Sequence, residues 1–291
     1  MKIIPGTIPT RDLHQFLLGA VAPRPIAFAS TIDENGIPNL APFSFFNAYS
    51  SNPPILVFSA NRRVQNNTTK DTLANVERTG EVVINVVNYA IVHQMAVASV
   101  EFPSEINEFQ KSGLTPIPSE TIRPFRVKES PVQMECKVDR IIPLGDQGGA
   151  GYLIVCKVTM LHIADEVIDD KGRIDPHKID LMGRMGRSFY VRCSGDNVFP
   201  IVQEVTKMCI GYDQLPETVR NSTILSGNDI GRLAGMQEAP AAAEVLAFRQ
   251  LHTDVDIFVK KQDFTGLHLY AQQMIQQGDL EGAAKVLWAG V

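Results

Sequence analysis

Over its first two thirds the chain repeats short apolar, β-branched runs separated by turn residues; after that the pattern lengthens to the period of helices. Residues 26–32 form an apolar run rich in strand formers, and Asp33-Glu34-Asn35-Gly36 supplies the residues of a hairpin turn. Residues 54–60 are short and apolar, as a buried strand is. Residues 71–79 read as a helix: Asp71 caps it, Leu73 and Val76 share a face, and Gly80 stops it. Residues 82–87 are another strand. Residues 89–100 place Val92, Met95, Ala96 and Ser99 at helical spacing. In residues 132–142, Val132, Met134, Cys136 and Val138 fall on one face with charges between them, and residues 151–158 continue a β-rich run toward Ile163. The glycine-rich connection 145–151 joins strand to strand and lacks dinucleotide-fingerprint spacing, so it is predicted to be a hairpin loop. Antiparallel-looking strands with interposed helices point to a barrel.

Beyond Phe199 the expected elements are successive helices over 241–259, 266–277 and 279–289, the last capped by Asp279 and ended by Gly290. The expected division is therefore a barrel over 1–199 and a helical extension over 200–291. Three roles are open to the extension: packing on the barrel, covering its site, or extending a dimer contact. No repeat period is visible in it.

Composition changes this picture little. The chain has 291 residues, 44% hydrophobic and 20% charged, an ordinary soluble balance. A net charge of −5 argues against nucleic acid or an acidic membrane as partner. No apolar run approaches the ~20 residues of a membrane span, and the start lacks signal-peptide character. Cys136, Cys156, Cys193 and Cys209 are widely spaced with no Cys-x-x-Cys, which speaks against a zinc site or dithiol. Reduced core thiols are expected at Cys136 and Cys156, and a cytoplasmic location fits. No P-loop, serine-hydrolase elbow or zincin motif occurs.

The stretch that carries chemistry is 23–60. From Ile37 to Ala60 it holds no charge, yet it mixes hydroxyls, amides, prolines and phenylalanines. Such a segment suits a flat aromatic ligand with polar edges. Pro23-Arg24-Pro25-Ile26-Ala27, the run from Asn39 to Asn47 and Ser51-Asn52-Pro53-Pro54 resemble the flavin reductase-like family of FMN-binding split-barrel proteins, which includes flavoredoxins and the reductase components of two-component monooxygenases. Lys70-Asp71-Thr72, the run from Thr79 to Asn85 and Leu161-His162-Ile163 extend the resemblance over roughly residues 10–195.

The resemblance implies a mainly β fold, a Greek-key split barrel, working as a homodimer with flavin near the subunit interface. It implies an oxidoreductase that passes hydride from nicotinamide C4 to flavin N5, with FMN favoured over FAD and NAD(P)H as co-substrate. A flavoredoxin-like carrier fed by a protein partner is the alternative, and a non-catalytic heme- or flavin-storage module is a third. A monooxygenase component or redox protein would be the partner.

A flavin phosphate needs cations and N–H or O–H donors. The candidates are Ser59, Asn61, Arg62 in preference to Arg63, Lys70, Asp71 and Thr72, at a helix start that offers free N–H groups. Asp71 opposes an anion there, so Lys70 and Thr72 must outweigh it. The ring candidates are Asn39, Ala41, Pro42, Phe43, Ser44 and Asn47, with Pro38 and Pro42 expected to interrupt strand pairing and free backbone N–H groups. Phe45 and Phe46 are read as core. Arg24 is a candidate for a flavin or nicotinamide phosphate, or else a surface residue. His162 is the catalytic candidate, as a hydrogen-bond partner for flavin or nicotinamide, with a structural pairing to an acid such as Asp165 as the alternative. Arg184 and Tyr190 match a late Arg-x-Gly-x-x-x-Tyr element; Arg184 is a candidate for the phosphate or the partner subunit and Tyr190 for the pocket wall, with plain packing as the equal alternative. The family's histidine after Gly-Asp is missing here, since Gly145-Asp146 is followed by Gln147 and Gly148.

Overall fold

A computed structural model of the protein describes residues Met1–Val291, which divide into two units, Met1–Phe199 and Pro200–Val291. The first begins with helix α1 (Thr10–Ala20), then strands β1 (Ala27–Ile32), β2 (Pro38–Phe43), β3 (Phe46–Ser51) and β4 (Pro54–Ser59). Helix α2 (Asp71–Thr79), strand β5 (Glu81–Val86) and the short helices α3 (Val92–Val97) and α4 (Glu108–Ser112) follow. Two-residue strands β6 (Pro116–Ile117) and β7 (Arg126–Val127) precede the long β8 (Val132–Pro143) and β9 (Tyr152–Ile163), and β10 (Leu181–Arg184) pairs with β11 (Tyr190–Cys193).

Seven strands form one antiparallel sheet in the order β2-β1-β5-β8-β9-β4-β3. β2 and β3 lie at its opposite edges, yet only Ser44 and Phe45 separate them in the chain. The sheet must therefore curl until its two edges meet, and they meet without pairing, leaving a split. The inner face is apolar: Leu56, Phe58, Val82, Ile84, Cys136, Ile154 and Cys156 share one core with Phe43, whose ring lies 5.2 Å from that of Phe58. Leu73 and Val76 of α2 pack into the same core, the shared face expected from their spacing.

Local chemistry accounts for the joints. The Asp33–Gly36 turn closes the β1–β2 hairpin: the Asp33 carboxylate accepts from the Asn35 and Ile37 amides, and Gly36 takes φ +88°. Gly80 ends α2 at φ +66° and donates to the Val76 carbonyl. The connection 145–151 is the predicted hairpin loop between β8 and β9. Cys136 and Cys156 are unpaired and buried; burial pushes the Cys136 thiol up to about 12 and raises Cys156 likewise, so both are inert.

Three expectations need correction. Pro38 and Pro42 do not break the ladder: β2 pairs with β1 from Ile32↔Pro38 through Ala27↔Phe43, and its edge position tolerates residues that cannot donate. Asp71 does not cap α2 but is its first residue, with Lys70 at the cap and no side-chain cap bond. The helical run 89–100 is a 3-10 turn (Tyr89–Ile91) followed by α3 alone, consistent with the stiff β-branched residues Ile91, Val92 and Val97.

The second unit contains α5 (Glu217–Arg220), α6 (Gly227–Ala234), α7 (Ala242–Leu251), α8 (Thr253–Lys261), α9 (Phe264–Gln276) and α10 (Leu280–Trp288) around Leu233, Val255, Leu267, Ile275 and Leu287. The predicted helix 241–259 is broken in two at His252, whose φ −114° and ψ 87° are not helical. Asp279 caps α10 by accepting from the Gly282 amide at 2.8 Å, as expected. No helix is long and apolar enough to cross a membrane.

Candidate functional site

The split between β2 and β3 opens into a continuous cleft. Its parts, of about 610, 460, 240 and 60 Å³, share walls: Phe45 borders the three largest, Arg24 and Ser44 join two, and Lys70 and Arg63 join two. All fourteen residues expected to bind a cofactor border this cleft; His162 does not.

Arg24 is 4% exposed and is the clasp of one wall. Its Nη1 donates to the carbonyls of Leu18 (2.7 Å) and Val21 (2.5 Å), Nη2 to Met185 O (3.1 Å) and Nε to Ser44 Oγ (3.4 Å). The guanidinium thus ties the end of α1, the loop after β10 and the β2–β3 junction together. Its backbone pairs with Arg184, whose guanidinium sits 4.5 Å above the Tyr190 ring and donates to Arg187 O. The surface alternative for Arg24 is excluded.

Three cations, Arg62, Arg63 and Lys70, border the opposite part of the cleft. Arg62 donates to Asn67 Oδ1 and O, both at 2.6 Å, and to the Tyr152 hydroxyl at 2.9 Å, and it meets no carboxylate. Arg63 spends its charge on Glu101 at 2.8 Å. The Lys70 ammonium makes neither an ion pair nor a hydrogen bond within the chain; its Nζ stands 5.3 Å from the centre of the Phe43 ring. Burial holds its amine below the ordinary lysine range, with Glu101 and Arg63 acting in opposite directions. Lys70 also stands at the N-terminus of α2, where the first backbone N–H groups have no intrahelical acceptor.

Ser59 and Asn61 shape the floor. Ser59 Oγ donates to Asn61 Oδ1 at 2.8 Å, and Asn61 Nδ2 donates to Gly149 O at 3.3 Å. A Cβ at Gly151 would lie 2.6 Å from Ser59 Oγ, and one at Gly148 would lie 2.9 Å from Val64 O. The glycine-rich hairpin is thus a requirement of close approach. Gly151→Ala is expected to displace Ser59 and to weaken ligand binding about tenfold, in line with an overpacking cost of about 1–3 kcal/mol; a flavin titration of the variant checks this.

Other candidates touch the cleft with little to offer from their side chains. Thr72 is 1% exposed, and its hydroxyl accepts from Asn39 Nδ2 at 2.9 Å. Asn39 and Asn75 also donate to Thr31 Oγ1, each at 3.1 Å, so these groups form a buried brace behind the wall. Phe43 is mostly core, whereas Phe45, expected in the core, is 36% exposed and faces the cleft. Phe46 packs on the barrel core as expected. Asn47 accepts from the Ala48 amide and borders the 460 Å³ part.

His162 belongs to a different cluster. Its Nε2 lies 2.8 Å from Glu135 Oε1, on the neighbouring strand, and its Nδ1 lies 3.8 Å from Glu120. The structural pairing is the one observed, with Glu135 rather than Asp165 as the acid. Glu135 is 0% exposed and also accepts from the Glu120 and Thr121 amides and the Thr121 hydroxyl. Burial alone would raise its pKa; these donors and the His162 ring outweigh burial and hold it at about 2. A carboxylate depressed below its ordinary 4.5 stabilises the fold above that value and loses its contribution as pH falls toward about 2. The contribution is on the order of 3 kcal/mol. Denaturant melts between about pH 6 and pH 2.5 should show this loss in the parent and a flatter profile in Glu135→Gln; equal profiles would refute it.

Five residues of α1 border the cleft and were missed: Thr10, Leu13, His14, Leu17 and Leu18. The signal was present, since Leu13, Phe16, Leu17 and Ala20 recur at helical spacing. No residue of α1 is fully buried. The His14 ring meets Phe45 edge-on at 6.1 Å, and burial together with Arg24 lowers its pKa.

Comparison with known proteins agrees with this architecture. The family model described as "Flavin reductase like domain" matches residues 19–176. An uncharacterized protein of Aquifex aeolicus is 39% identical over 184 residues, 63% of this chain and 91% of that protein. Among solved structures, nitrilotriacetate monooxygenase component B from Bacillus cereus aligns with TM-score 0.64 and 30% identity, over 69% of this chain and 98% of that one. The 2-nitrobenzoate 2-nitroreductase of Pseudomonas fluorescens aligns with TM-score 0.60 and 28% identity, over 70% and 97%. The chain therefore belongs to the flavin reductase-like family, split-barrel proteins of the flavin-binding oxidoreductase class.

Proposed function

We propose that this protein is an FMN-binding, NAD(P)H-dependent flavin reductase. The observation that carries the reading is Lys70, a half-buried cation with no partner in the chain, set at a helix N-terminus beside a cleft large enough for a flavin. Arg62 adds a second charge that no carboxylate neutralises. Together they fit a phosphate dianion, which selects FMN over riboflavin.

Bound FMN would supply the hydride acceptor and electron relay. The chain's task is to bind and orient. Lys70, Arg62, Ser59 and Asn61 hold the phosphate end. The backbone of Ala41 to Ser44, together with Phe45 and His14, borders the cleft and would hold the flavin ring. Helix α1, pinned by Arg24, limits water. Arg184 and Tyr190 border the 240 Å³ part of the cleft and would help to receive a nicotinamide nucleotide. His162 is left with a structural role.

In this reading residues 1–199 are the flavin domain and 200–291 a helical extension, and the protein works in the cytoplasm as a homodimer. Likeness to nitrilotriacetate monooxygenase component B suggests a monooxygenase component as electron acceptor. The test is a pair of titrations followed by flavin fluorescence. FMN should bind about a hundredfold more tightly than riboflavin, the value of a charge-assisted phosphate contact. Equal affinities would overturn the phosphate assignment.

A further inference from the structure

The helical unit contains a cavity of its own, about 390 Å³, beyond residue 176 where the family match ends. Glu217, Asn221, Ser222, Phe264, Thr265 and His268 are among the residues around it. His268, on α9, is 6% exposed. Ser222 Oγ accepts from the Ile224 amide at 3.1 Å and the Leu225 amide at 3.0 Å, so its own proton goes to His268 Nδ1 at 2.8 Å. That bond fixes the tautomer: Nδ1 accepts and Nε2 carries the proton. Burial lowers the pKa of the ring and favours the neutral form.

No group of the chain accepts from His268 Nε2, the Nδ1 edge is committed to Ser222, and both residues border the cavity. The Nε2 N–H is not among the fully buried atoms that lack a partner, so water can reach it, and a ligand acceptor in the cavity would take the place of that water. The other groups define what the acceptor belongs to. Asn221 gives and takes hydrogen bonds, Thr265 does the same, and Glu217 takes them. No lysine or arginine borders the cavity, and a carboxylate does, which disfavours an anion. Phe264 supplies a flat apolar face.

We propose that this cavity binds a small neutral sugar or polyol. One ligand hydroxyl accepts from His268 Nε2–H, another donates to Glu217, and C–H groups lie against Phe264. The inference does not depend on the flavin reading.

The test uses the full chain with labelled histidine and follows the His268 ring signals by NMR, assigned with His268→Gln. Glucose, galactose, ribose and myo-inositol are added singly to about 100 mM, a range that reaches weak sites. The expected result is a saturable shift of the His268 signals with at least one of them. Asn221→Ala, an exposed rim change that keeps the test open if His268→Gln fails to fold, should weaken that binding about tenfold. No saturable shift with any sugar, a midpoint unchanged in Asn221→Ala, or saturation by acetate or inorganic phosphate instead would each overturn the proposal.

Discussion

Lys70→Gln is expected to weaken FMN binding about a hundredfold, leave riboflavin binding unchanged, and leave the melting temperature of the flavin-free protein unchanged or slightly raised. The three outcomes share one cause. Lys70 is partly desolvated and makes no ion pair or side-chain hydrogen bond within the chain, and burial outweighs the favourable field of Glu101, so its charge is a net cost to the unliganded fold. The cost is offset when a phosphate arrives, and a hydrogen bond to a charged group in such a place is worth about 1.5–3 kcal/mol. Removing the charge therefore removes affinity without removing a structural contact beyond its packing on Phe43. FMN binding should weaken with added salt more steeply in the parent than in the variant, which keeps only Arg62 as a cation at the phosphate. Calorimetric or fluorescence titration with FMN and riboflavin, beside thermal melts, checks all three. Parallel losses of stability and FMN binding would instead make Lys70 a structural residue.

Arg24→Ala should cost on the order of 5 kcal/mol of stability, a large share of what a domain has. The guanidinium serves the Leu18, Val21 and Met185 carbonyls, and each charge-assisted bond is worth about 1.5–3 kcal/mol. Its loss strands acceptors and releases α1, which has no fully buried residue to hold it in place. Flavin affinity should fall with stability, the reverse of the Lys70 pattern, because the walls of the cleft come apart. Arg24→Lys keeps the charge but not the fork, so it should recover a minor part. Urea melts measure the loss. A change below about 1 kcal/mol in Arg24→Ala would show that the clasp is dispensable.

Most of the barrel was legible because its signals are local. Alternation in 132–142, the Asp33–Gly36 turn and Gly80 each fix an element without reference to the rest of the chain. β3 was not legible: Phe46 to Ser51 is mostly polar and exposed, and it is a strand only because β4 pairs with it. The helix break at His252 also escaped, since apolar residues continue on both sides of it. At the site, sequence order placed the motifs along one cleft but could not tell a free charge from a committed one. Arg62, Arg63 and Lys70 look alike in sequence; only distances separate the arginine paired with Glu101 from the lysine with no partner. His162 shows the same limit, because the acid that claims it lies 27 residues away on the next strand.

In the proposed function the cleft holds FMN, which takes hydride from a nicotinamide nucleotide. The most direct measurement is an anaerobic absorbance titration of the FMN-loaded protein with NADH and with NADPH. The flavin band near ~450 nm should bleach rapidly with one or both nucleotides. Flavin that stays oxidised with both nucleotides yet bleaches with dithionite would contradict the reductase and leave a carrier fed by another protein.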